Sequence, residues 1–227
     1  MIKDIDELKN NFNLMNSFRR NSLFCLETYM SSNVCVTKLN NTIEANIFNL
    51  IRQSLYMRAI IELRKILEPQ NHNKNANLSS IINYINNNKD VFAKQHYVDD
   101  LNIGSICIED IDQEFYKKFR EYSAYESKEK CLKTISLLKG RWNKYWHYLS
   151  NSDSFKIIRE NRDYLVHSYS NTVESFPSIN KIKKVLRITT WFIKKIDYII
   201  NNCSFSYDTE LEKVRYISTE YWDLINK

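Results

Sequence analysis

Hydrophobic residues recur at helical spacing along most of the chain. Between residues 5 and 31, Leu8, Phe12, Met15, Phe18, Leu23, Leu26 and Met30 return every three, four or five residues. That is the period of one apolar helix face. The polar stretch from Ser31 to Asn33 predicts its end. From 41 to 67 the apolar positions, Ile43 to Leu67, populate more than one face, which predicts a helix near the centre of a bundle. Pro69 stops it, because the residue before a proline disfavours helical dihedrals. Asn77 or Ser79 can cap a short helix from Leu78 to about residue 86. Residues 87–108 show no clean period and read as mixed and least regular. Residues 110–149 predict one long helix, or two with a break near Gly140. The cluster Asn151-Ser152-Asp153-Ser154 predicts the start of a helix through Phe155, Ile158 and Leu165 to Tyr169. A loop with Pro177 follows, then a helix over about 179–202. Asp208 or Thr209 is expected to cap a last helix ending near residue 226.

Composition narrows the fold class. The 227 residues include two glycines, Gly104 and Gly140, and two prolines. Strand-rich folds and nucleotide-binding α/β folds need tight turns at positive φ, which glycine supplies. Two glycines leave no phosphate-binding loop, dinucleotide fingerprint or nucleophile elbow. The expectation is an all-α bundle of long antiparallel helices forming a single domain over 1–227. Its core is expected at about 41–202, with the first and last helices packed on it.

Charge adds little. Thirty-three basic against 27 acidic residues give +6, which permits a polyanionic partner without demanding one. Five cysteines with no C-x-x-C pair suggest reduced, mostly buried thiols. No signal peptide or membrane span is expected, so the expected compartment is the cytoplasm. No Cys/His cluster has ligand spacing, so neither metal nor cofactor is expected.

The segment richest in chemistry is Arg159-Glu160-Asn161-Arg162-Asp163-Tyr164-Leu165-Val166-His167-Ser168-Tyr169. A guanidinium is permanently charged and forks onto phosphate oxygens. An imidazole titrates near neutrality and can move a proton to or from a ribose hydroxyl or leaving group. Arg162 and His167 would stand about 140° apart on an ideal helix, so they would flank a groove or meet counterparts on a second subunit. Asp163 and His167, four apart, share a face, and Asp163 could orient the ring. RNA carries its own nucleophile, the 2′-hydroxyl, so this set needs no metal.

Arg162-Asp163-x-x-x-His167 in a helical chain resembles the motif of HEPN-domain proteins (higher eukaryotes and prokaryotes nucleotide-binding). The segment from Ala59 to Pro69, followed by Asn77-Leu78-Ser79-Ser80-Ile81-Ile82, is similar to the second-helix region of HEPN proteins from abortive-infection systems. The resemblance spans roughly residues 41–202. It implies a metal-independent endoribonuclease, a toxin or anti-phage effector cleaving tRNA or mRNA. It further implies a homodimer whose two motifs face one cleft, and products with 2′,3′-cyclic phosphate and 5′-hydroxyl ends. Arg162 would bind the scissile phosphate, His167 transfer protons and Asp163 support the site. Tyr169 matches the tyrosine that a minimal nucleotidyltransferase antitoxin adenylylates in some HEPN toxins, although those toxins are usually shorter. The alternative within the same fold is a catalytically silent HEPN-like module that binds a nucleotide or a protein.

Plainer roles compete at each position. His167 also suits a helix end paired with Asp163, Arg162 a surface ion pair, Asp163 a surface charge and Tyr169 a packing position. Trp142, Tyr145, Trp146, His147 and Tyr148 form an aromatic cluster, suited to a core or a dimer seam, or to stacking on unpaired bases. Lys181, Lys183, Lys184 and Arg187, continued by Lys194 and Lys195, form a basic face. It is either a solvated helix face or a hold on an RNA backbone. His72 and His96 are isolated and read as non-ligands.

Overall fold

The computed structural model describes residues 2–33, 36, 43–67, 76–103, 113–151, 178–203 and 206–225. Every element among them is a helix: α1 (Ile5–Ser31), α2 (Ile43–Leu67), α3 (Leu78–Asn87), α4 (Lys89–Ile103), α5 (Gln113–Ser150), α6 (Ile179–Asn201) and α7 (Tyr207–Ile225). The architecture is all-α, as the patterning requires.

Local chemistry sets the ends. Asp4 starts α1: its carboxylate accepts the Glu7 N–H at 2.8 Å, while Glu7 accepts the Lys3 N–H at 2.9 Å. Such reciprocal capping satisfies donors that the first turn leaves open. Asn77, rather than Ser79, caps α3 by accepting the Ser80 N–H at 2.9 Å. The last helix begins before Asp208 and Thr209. Ser206 precedes it, its hydroxyl facing the Thr209 N–H at 3.4 Å and its carbonyl accepting the Glu210 N–H at 3.2 Å. α6 ends at Asn202, whose φ of 50° is left-handed. Asparagine tolerates that region better than other residues with a side chain.

Two stretches differ from the sequence pattern. Residues 89–103, read as mixed, form the regular helix α4. Its buried positions are Phe92, Ala93 and His96, so the inward face is carried partly by a small residue and a histidine. The His96 Nε2 lies 3.0 Å from the Ile199 carbonyl, a position that ties α4 to α6. α5 runs unbroken through Gly140, where an added Cβ would meet nothing within 4 Å. No close approach demands that glycine.

The core is built chiefly from α1, the second half of α2, α3 and α6. Leu8, Phe12, Met15, Leu26, Leu63, Ile66, Leu78, Ile85, Ile193 and Ile196 are all buried in it. The first half of α2 is less central than its apolar content suggests: Ile47 and Leu50 are exposed, and Phe48 packs on Trp222 of α7 as a small second cluster. The Ser22 hydroxyl donates to the Ala59 carbonyl at 2.8 Å, so small residues bring α1 and α2 together. α7 lies along α1, held by Trp222 Nε1–H donating to the Thr28 carbonyl at 2.7 Å.

α5 and α6 pair antiparallel. Trp142 meets Phe192, and further along Lys130 lies over Tyr198, so numbers rise on one helix as they fall on the other. Asn151 and Ser178 therefore stand at the same end of this pair.

Candidate nucleic-acid interface

Arg162, Asp163, His167 and Tyr169 lie outside the described residues, as do His72 and the expected helix through Leu165. The basic residues on α6 lie within them. Lys181, Lys183, Lys184 and Arg187 are all exposed. At 100° per residue Lys183, Lys184, Arg187, Trp191, Lys194 and Lys195 fall on the side of α6 opposite its buried Ile182, Val185, Thr189 and Phe192.

A groove of about 490 Å³ opens between α5 and α6, with Arg141, Lys144 and Tyr145 on one wall and Arg187, Ile188, Trp191 and Phe192 on the other. No carboxylate is among these lining residues. The Arg141 guanidinium stands 4.6 Å from the centre of the Trp191 ring, and Lys195 approaches the same ring at 6.0 Å. Lys184 sits 5.5 Å from the Tyr148 ring. The structure thus brings Arg187 together with Arg141 and Lys144, while Lys181, Lys183 and Lys184 are exposed without lining the groove.

The aromatic cluster divides between two roles. Trp142 is buried, edge-on to Phe192 at 5.4 Å and stacked on Trp146 at 5.6 Å. Tyr145 lines the groove, 5.7 Å from Phe192. Burial pushes its phenol well above the ordinary tyrosine range. Its hydroxyl oxygen is enclosed and has no hydrogen-bond partner among the described residues. His147 and Tyr148 remain exposed. The sequence reading missed Arg141 and Trp191. Their signal was present as a cation next to Trp142 and an aromatic within the basic run of α6, but only helix pairing brings them together.

This arrangement suits an unpaired polyanionic strand. Cations on both walls can hold phosphates, and a largely apolar floor with rings beside it can take bases. Among the described residues there is no group of three or more His, Cys, Asp or Glu side chains able to hold a metal ion. No described helix is long and apolar enough to cross a membrane. No protein-family model, curated protein or solved structure matches the chain.

Proposed function

We propose that the chain is a metal-independent endoribonuclease of the HEPN type, acting in the cytoplasm as a toxin or anti-phage effector on tRNA or mRNA. The observation that carries this reading is the Arg162-Asp163-x-x-x-His167 spacing. The groove supports it: the segment holding the motif follows α5 and precedes α6 in the chain, and the groove between those helices gathers Arg141, Lys144 and Arg187. In this reading the 2′-oxygen attacks the adjacent phosphorus, the P–O5′ bond breaks, and a 2′,3′-cyclic phosphate and a 5′-hydroxyl form. His167 moves the proton, Arg162 offsets the charge on the phosphate oxygens, and Asp163 orients the ring. Two copies bring two motifs to one cleft.

The test is digestion of tRNA and mRNA by the purified chain in EDTA, with His167→Ala alongside. Cleavage leaving cyclic phosphate ends, lost in the variant, is expected; equal cleavage by both proteins would overturn the reading. Tyr169 is the proposed site of neutralisation by a minimal nucleotidyltransferase. Mass spectrometry after co-expression with such an enzyme should show an added adenylyl group, and neutralisation of an unmodified Tyr169 would reject that part.

A further inference from the structure

The outer side of α5 carries a stripe that no described helix covers. The core-facing positions of α5 are Ala124, Cys131, Ile135, Leu138, Trp142 and Leu149, all buried. On the opposite side Phe119, Tyr122 and Leu137 are exposed at 58%, 63% and 44%. Rings on a helix otherwise rich in Lys and Glu cost solvation, and such patches mark contact surfaces. A furrow of about 590 Å³ runs between side chains of this one helix, bordered by Tyr122, Glu126, Glu129, Lys133 and Leu137 among others.

The order of residues on the stripe identifies its occupant. Outward positions are Phe119, Tyr122, Glu126 and Glu129, then Lys130, Lys133, Leu137 and Gly140. Their spacing is three, four and three residues to Glu129, then one, then three, four and three. It reads the same from either end, about a centre between Glu129 and Lys130. Laid antiparallel on itself about that centre, the stripe sets Glu129 against Lys130, Glu126 against Lys133 and Tyr122 against Leu137. Phe119 then falls on Gly140, where an added Cβ would meet nothing within 4 Å. Every pair is complementary: carboxylate with ammonium, ring with aliphatic chain, ring with open space. A two-fold axis repeats each pair, as an isologous interface requires. The spacing is that of a helix seam, and its contact line is about 32 Å long.

We propose that this face of α5 binds a second copy of the chain as an antiparallel helix pair centred between Glu129 and Lys130. Present neighbours of the stripe are compatible with this. Tyr122 is hydrogen-bonded to Glu126, and Lys130 lies 5.4 Å from the Tyr198 ring; both groups are on the helix surface and need only turn. The contact is separate from the motif-to-motif pairing above. It puts the two Asn151 ends about 65 Å apart along the pair, so it cannot form the shared cleft and stands whether or not the chain cleaves RNA.

The register can be tested by cross-linking the full chain. Glu126→Cys/Lys133→Cys places two thiols about 10.5 Å apart on one helix, too far for an internal disulfide, but opposite each other across the pair. Under mild oxidation this double variant should give a covalent dimer several-fold above either single variant and above wild type, whose five native cysteines set the background. Yields no higher than those controls would overturn the register. Gly140→Leu supplies a second measurement. It should fold at least as stably as wild type, since the site is open and glycine is a poor helix former, yet weaken dimerisation at least tenfold by filling the space opposite Phe119. Light scattering that shows a wild-type monomer, or unchanged dimerisation by Gly140→Leu, would overturn the proposal.

Discussion

Two arginines show how the two sides of the molecule differ. Arg19 on α1 is fully buried. Its Nε donates to Asn16 at 2.9 Å, and its two terminal nitrogens meet the Glu210 carboxylate at 2.7 and 2.8 Å. Arg141 on α5 is exposed, and the contact it makes is with the Trp191 ring at 4.6 Å. Charge and side chain are the same in both. What differs is the presence of a matched anion. A guanidinium enclosed with a carboxylate has its donors committed and joins α1 to α7. A guanidinium resting on a ring keeps its forked donors available for phosphate. On the same α1–α7 seam Arg215, itself exposed, donates to the buried Glu27 carboxylate at 3.1 Å, so its charge too has a matched anion. Beside the α5–α6 groove Lys184 rests on a ring instead, that of Tyr148. Positive charge alone thus says little about binding; its neighbours decide.

The sharpest way to break this comparison is to remove each arginine. Arg19→Met leaves the Glu210 carboxylate facing a buried apolar site, with Arg20 at 3.1 Å as its remaining partner. Breaking a buried pair from one side costs about 3–5 kcal/mol, and denaturant unfolding should show a loss of that size. Arg19→Met/Glu210→Leu should recover most of it, because apolar replacement of both partners is often neutral or better. Arg141→Gln should cost no more than about 1 kcal/mol, the worth of an exposed cation–ring contact. Equal losses at the two sites would mean that Arg141 is structural as well.

The sequence was most legible where periodicity was strong and caps were local. α1 follows its expected limits of 5 and 31, and α3 begins where Asn77 offers a side-chain acceptor. α4 was hidden because its inward positions include Ala93 and His96, so alternation of apolar and polar residues does not mark a helix face. The half of α2 before Tyr56 was overvalued, since apolar content does not reveal whether a neighbouring helix covers it; Ile47 and Leu50 have none that does among the described residues. In the groove, Arg187 could be found as part of a charge run. Arg141 and Trp191 could not be paired, because they are 50 positions apart in sequence and meet only through the antiparallel register of α5 and α6. For the same reason the aromatic cluster of α5 could not be divided from sequence into its buried Trp142 and its exposed Tyr148.

Nucleic-acid binding sharpens the other half of the comparison. With a short unstructured RNA, Trp191→Leu should lose about 1–3 kcal/mol of binding if a base stacks at that wall. Arg141→Gln and Arg187→Gln should each lower the slope of log affinity against log salt by about 0.7, the contribution of one single-strand phosphate. Arg215→Gln, on the α1–α7 seam, should leave that slope unchanged. Fluorescence anisotropy at several salt concentrations reads all four variants. A slope that falls as much for Arg215 as for Arg187 would mean that the RNA recognises net charge rather than the groove.

The last expected effect concerns protons rather than ligands, and again separates enclosed groups from open ones. Tyr56 of α2 is buried beside Tyr29, with ring centres 5.0 Å apart. Burial first, and the neighbouring phenol second, push its pKa up from 10.0 to about 12. A phenol whose folded pKa exceeds its unfolded value binds its proton more tightly in the folded state. Its contribution to stability is therefore complete below pH 10 and declines as the pH rises through about 12. Tyr56→Phe removes that proton while retaining the ring, so it should flatten the fall in unfolding free energy between those two pH values. The wild-type and Tyr56→Phe curves, measured in urea across this range, should converge toward high pH. Parallel curves would show that the Tyr56 phenolate forms as easily in the folded chain as in the unfolded one, and that this part of the core is open to water.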